Sequence, residues 1–65
     1  MDSIKVLLVE DHERTRLGIQ LVLENTEGID LIAQAENGKK GVDLALNIKP
    51  DVILMDIGLC ARYRT

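Results

Sequence analysis

Apolar residues recur along this chain with two different periods. Three runs are short and mostly uninterrupted: Ile4 to Val9 (IKVLLV), Ile29 to Ala35 (IDLIAQA) and Val52 to Met55 (VILM). Short aliphatic runs of this kind suit strands buried on both faces of a parallel sheet. The middle run is the weakest of the three and fits an edge strand. Between the runs the period becomes helical. Over His12 to Asn25, Arg16, Gln20 and Glu24 make one polar stripe, while Leu17, Ile19, Leu21, Val22 and Leu23 fill most of the remaining circumference. Gly28 just beyond marks a stop. Over Gly38 to Ile48 the stripe is Lys39, Asp43 and Asn47, set against Val42, Leu44, Ala45, Leu46 and Ile48. Asn37 is placed to cap this helix, and Pro50 prevents its continuation. Asn37-Gly38 also suits a hairpin turn, but the helical spacing after it favours the cap.

The predicted order is strand, helix, strand, helix, strand: two βαβ units of the α/β class. No internal repeat, low-complexity segment or linker interrupts it. Both helices have apolar arcs wider than one sheet face can cover. Each therefore expects a neighbouring helix that these 65 residues do not supply.

Composition narrows the setting rather than the fold. A chain of 65 residues holds one domain at most. At this length folding buries only about 60 % of the surface the unfolded chain exposes, so stability is marginal. The single cysteine, Cys60, has no partner for an internal disulfide, and no Cys/His cluster suggests structural zinc. A lone thiol fits a reducing cytoplasm. The apolar run Val6 to Val9 is followed at once by Glu10 and Asp11, which makes neither a signal peptide nor a membrane span. Eight basic against eleven acidic residues give a net charge of −3, ill matched to nucleic acid. The expectation is a soluble cytoplasmic protein without direct DNA binding and without a membrane partner.

Three acids stand at predicted strand ends: Glu10 and Asp11 after the first, Asp56 after the third. Right-handed crossovers can set those strands side by side with one helix on each face. Their carboxyl ends then meet where doubly wound sheets bind ligands. Neighbouring strands lie about 4.8 Å apart, so acids on adjacent strand ends converge. Converging carboxylates repel one another unless protons or a cation intervene, and Mg²⁺ suits such a set. A carboxylate beside Mg²⁺ can attack a phosphoryl donor. Any one acid alone would be read as a helix cap or a loop residue, and Asp11 could cap the first helix. The pair and the distant aspartate together favour function.

The segments KVLLVEDHERTRLGI, AENGKKGVDLAL and KPDVILMDIGL, spanning Ile4 to Leu59, resemble the first half of response-regulator receiver domains of two-component signalling. The ordered set carries the resemblance: an acid pair, a helix, Ala35-Glu36-Asn37-Gly38, Lys49-Pro50-Asp51 and an aspartate closing the third strand. Asp11-His12 followed by Arg16-Leu17-Gly18-Ile19 is most similar to receivers joined to helix-turn-helix DNA-binding domains. The resemblance implies a truncated flavodoxin-like doubly wound parallel sheet. It implies that Asp56 accepts phosphate from a sensor histidine kinase. Asp11 and Asp56 would ligate Mg²⁺, with Glu10 acting directly or through water and the backbone carbonyl of Gly58 adding a ligand. On this reading the chain is a phosphoacceptor protein and not an enzyme.

The departures from the family pattern are equally specific. Cys60 stands where the family usually has proline, and Cys60 to Thr65 (CARYRT) resembles nothing in it. Residues 1–59 are therefore expected to form a partial receiver domain and residues 60–65 a tail outside the family pattern. The Ser/Thr and Lys that contact the phosphoryl group in the family, after its fourth and fifth strands, have no counterpart here. Impaired phosphorylation is expected, together with self-association through the third strand. An interaction fragment, a decoy for a kinase or for a full-length receiver, is the alternative; a non-functional truncated product is another. A metal-dependent phosphohydrolase would carry a second acid two residues after its nucleophile, where this chain has Gly58. A dinucleotide-binding domain is excluded because Glu10-Asp11 replaces the glycine-rich loop. His12 reads as a solvated residue at a helix start, and Lys39 and Lys40 as a solvated helix face.

Overall fold

The computed structural model describes residues 3–55. Five elements follow in the order β1 (Ile4–Val9), α1 (Glu13–Glu24), β2 (Ile29–Ala35), α2 (Gly38–Ile48) and β3 (Val52–Met55). The strands form one parallel sheet in the order β2-β1-β3. β1 is therefore central and the weak middle run is an edge, as its composition predicts. β1 runs in register with β3 from Val6↔Val52 to Val9↔Met55. Against β2 its register shifts once, between Val6 and Leu7, then holds to Val9↔Ala35. All three strands thus end level. This is the β-α-β-α-β half of a flavodoxin-like doubly wound sheet.

Side-chain alternation sorts the sheet into two faces. Leu7, Val9, Ala33 and Ala35 face α2 and pack with its Leu44, Ala45 and Ile48. Gln34, one step out of phase, lines a groove with Glu13, Arg16, Leu17 and Gln20 of α1, so α1 covers the opposite face. α2 comes close because residue 41 is glycine: a Cβ there would stand 2.6 Å from Val9 Cγ2. Both helices leave apolar residues outside. Leu17, Leu21, Val22, Val42 and Leu46 are all more than half exposed, which matches arcs wider than one sheet face.

The ends of the elements follow from local chemistry. Asn37 Oδ1 accepts from Lys40 N at 2.8 Å and caps α2, which settles the Asn37-Gly38 alternative in favour of the helix. Lys49, with φ 48°, turns the chain out of α2 before Pro50. Asp51 then ties β3 to β1: its N–H donates to Lys5 O at 2.8 Å, and its Oδ2 accepts from Lys5 N at 2.9 Å. Gly28, with φ 86°, makes the turn into β2. One alternative is removed. Asp11 does not cap α1, because the N-cap position is His12, one residue later, and it makes no side-chain cap bond. α1 accordingly starts at Glu13 and ends at Glu24, one residue inside the predicted span at each end.

Candidate metal centre

The central strand delivers Glu10 to the level end of the sheet. Its N–H donates to Ala35 O at 3.0 Å, which extends the pairing with β2 by one residue. Its carbonyl accepts from Arg16 Nη1 in the first turn of α1 at 2.9 Å. The residue is 1 % exposed, the most buried polar residue described. Oε2 accepts from His12 N at 2.8 Å, so the carboxylate folds back on the loop that follows it. Among the described residues Oε1 has no hydrogen-bond partner.

Asp11 and His12 complete a cluster whose ligand atoms all lie within 4.8 Å of one another. His12 Nδ1 stands 3.0 Å from Asp11 Oδ1 and 3.2 Å from Glu10 Oε2. The imidazole is 67 % exposed, so it can turn away with little loss of packing. Asp56 and Gly58, the other predicted site residues, lie outside the described residues, as does the tail 60–65. What the described part fixes is the register that leads to Asp56: Met55 is the partner of Val9, and Glu10 follows Val9 directly.

These residues fit a hard divalent cation. A buried carboxylate oxygen without a partner keeps its desolvation cost uncompensated. A cation supplies the missing interaction, and Mg²⁺ takes one or two carboxylates while keeping several waters. The donor set is two carboxylates beside one exposed imidazole, which suits oxygen-seeking Mg²⁺ better than zinc.

Two residues of this arrangement were given no part in the site by sequence reasoning. His12 is solvated, as its position suggests, but it also bridges the two acids. Arg16 belongs to the polar stripe of α1, yet it is half-buried and aimed at the acid loop. A basic residue in the first helical turn after an acid pair is the signal that could have found it.

Comparison with known proteins assigns the chain to one family. Residues 6–62 match the response regulator receiver domain. The chain is 48 % identical over 54 residues to the transcriptional regulatory protein LiaR of Bacillus subtilis, covering 83 % of this chain and 26 % of that protein. It is 46 % identical over 54 residues to the response regulator GacA of Pseudomonas aeruginosa, covering 83 % and 25 %. To the response regulator protein VraR of Staphylococcus epidermidis it is 44 % identical over 55 residues, covering 85 % and 26 %. The chain thus spans about a quarter of the length of these curated relatives. No solved structure matches it significantly. Among the described residues no helix is long and apolar enough to cross a membrane. Receivers of response regulators are phosphoacceptors in two-component phosphorelays, interact with histidine kinases and generally bind Mg²⁺ in an acidic pocket. With the family matched over most of its length and the β-α-β-α-β order in place, this chain belongs to the response regulator receiver domain family.

Proposed function

We propose that this chain takes a phosphoryl group on Asp56 from a sensor histidine kinase, with Mg²⁺ held at the acidic end of the sheet. The observation that carries this reading is Glu10, a buried carboxylate with one oxygen unpartnered among the described residues, at the end of the strand in register with the one that runs into Asp56. Asp11 and Asp56 would hold the cation, with Glu10 directly or through water and the Gly58 carbonyl as a further ligand. The cation would neutralise charge on the phosphoryl oxygens. An Asp56 carboxylate oxygen attacks the phosphorus of the kinase's phosphohistidine. An O–P bond forms, the N–P bond breaks, and the imidazole nitrogen leaves with its electron pair. Asp56 is thus a phosphoacceptor, in a cytoplasmic protein whose receiver portion is residues 1–59, followed by a tail of residues 60–65. A net charge of −3 argues against DNA binding by these residues themselves.

Incubation with Mg²⁺ and a small acyl phosphate, followed by mass spectrometry, tests this. Phosphorylation should localise to Asp56, require Mg²⁺ and vanish in Asp56→Asn. Modification at another residue, or equal incorporation in Asp56→Asn, would refute the assignment.

One observation favours the second reading, an interaction fragment. Among the described residues β3 pairs only with β1, and all four of its apolar side chains are exposed. An open apolar edge is a template for another chain, whether a second copy or a full-length receiver. On that reading Asp56→Asn would still compete for the partner.

A further inference from the structure

We infer that Arg16 is a positioning residue for the cation held by Glu10 and Asp11. This rests on the metal-binding part of the function proposed above. Two hydrogen bonds from this one residue bracket the acid loop. Its backbone N–H donates to His12 O at 2.8 Å, closing the first turn of α1. Its guanidinium donates to Glu10 O at 2.9 Å. The carbonyl it grips belongs to the peptide that joins Glu10 to Asp11, so it fixes the plane from which Asp11 departs. Glu10 N is held on its other side by Ala35 O at 3.0 Å. The acid pair is therefore fixed between β2 and α1, and the α1 anchor is a side chain.

Charge and positioning predict opposite signs. A guanidinium near two acids disfavours a second cation, so charge alone predicts that removing Arg16 tightens binding. Positioning predicts that removal weakens it, because ligand atoms that must be re-ordered on binding lose affinity. Two observations favour positioning. The guanidinium is engaged with a carbonyl rather than with the carboxylates, and Glu13 lines the same groove and offsets part of its charge. Loss of a partner that orients metal ligands typically costs 10–100-fold in metal affinity.

The test is Mg²⁺ titration of the 65-residue chain, followed by backbone amide and carbonyl NMR shifts, in wild type, Arg16→Met and Arg16→Lys. Met keeps an apolar stem and removes every donor. Lys keeps the charge and an ammonium donor group, without the rigid fork. Wild type should saturate with shifts centred on residues 10–12. Arg16→Met should bind about 10-fold more weakly, with β2 and α2 shifts unchanged. Arg16→Lys should recover part of the loss. Binding by Arg16→Met as tight as wild type or tighter overturns the inference, and so does a Lys variant no better than the Met variant. Should Arg16→Met fail to fold, a folded Arg16→Lys with reduced affinity supports positioning, and one with wild-type affinity overturns it. A wild-type chain that does not bind Mg²⁺ overturns the metal site itself and this inference with it.

Discussion

β1 and β3 lie side by side in register and carry nearly the same sequence, VLLV against VILM. Yet Leu7, Leu8 and Val9 of β1 are 0 % exposed, whereas every residue of β3 is between 38 % and 46 % exposed. The difference lies in the neighbours. β1 has a strand at each edge and a helix over each face. β3, among the described residues, has β1 alone. Burial of an aliphatic strand is thus a property of its place in the sheet and not of its composition. The consequence reaches the chemistry, because a carboxylate carried one residue beyond a fully buried strand is itself withdrawn from water. Glu10 inherits its burial from β1, and with it an oxygen that lacks a partner among the described residues.

The largest effect that would sharpen this contrast is a matched pair of truncations. Leu8→Ala removes a fully buried side chain from the face that α1 covers, and should cost about 2–5 kcal/mol. Leu54→Ala, its register partner on β3, should cost about 1 kcal/mol or less, because much of that side chain already meets water. Urea unfolding at low micromolar concentration would compare them. Small domains have little stability to spare, so Leu8→Ala is expected to be largely unfolded. Equal costs in dilute solution would break the contrast. A Leu54→Ala cost that grows with protein concentration, alongside a sedimentation shift, would show β3 covered by another copy.

All five elements were legible in the sequence. β1, β2, α2 and β3 carry the predicted bounds, because aliphatic runs, an Asn37 cap and Pro50 are local signals. Right-handed crossovers allowed the first and third strands to lie side by side, and the weak Ile29 to Ala35 run suited an edge; the order β2-β1-β3 has both features. Glu10 and Asp11 were legible as acids at a strand end. What was not legible depends on the path of the loop between β1 and α1. Sequence placed Arg16 on a helix stripe but could not show that its guanidinium reaches back six residues to Glu10 O. Nor could it show that the cap open to Asp11 would be missed by one residue. The closeness of α2 to Val9 was equally hidden, since a glycine in a helix has several readings.

Gly41 and Gly18 give the next contrast, smaller but opposite in sign. Both are helical glycines, and alanine favours a helix interior over glycine by about 1 kcal/mol. At Gly18 a Cβ meets nothing within 4 Å, so Gly18→Ala should stabilise by about that amount. At Gly41 the Cβ would stand 2.6 Å from Val9 Cγ2, on a β-branched side chain that is stiff at χ1. Overpacking of this kind costs about 1–3 kcal/mol, which outweighs the propensity gain and leaves Gly41→Ala destabilised. Displacing Val9 should also move Glu10, so its amide shift should change in Gly41→Ala and stay fixed in Gly18→Ala. If Gly41→Ala were the more stable variant, α2 would be free to slide on β1 and the closeness seen here would not be required.

The smallest expected effect compares the two helix starts. Asn37 caps α2 through a 2.8 Å bond from Lys40 N, while His12, at the same position of α1, makes no side-chain cap bond. The reason is chemical: His12 Nδ1 is turned to Glu10 and Asp11, so the loop serves the acid pair at the expense of its helix. Replacing a capping Asn by Ala costs about 1 kcal/mol, and Asn37→Ala should show that loss in urea unfolding. His12→Ala removes no cap and only the contacts that an exposed imidazole makes with the acids, so it should change stability by no more than about 0.5 kcal/mol. It also removes the imidazole that stands between the two carboxylates. Mg²⁺ affinity in His12→Ala should therefore be equal to or greater than wild type, even though the helix start is no better capped. A His12→Ala chain as destabilised as Asn37→Ala would mean that the bridge to Glu10 and Asp11 holds the loop together, and that the acid pair is ordered by its own histidine rather than by β2 and Arg16.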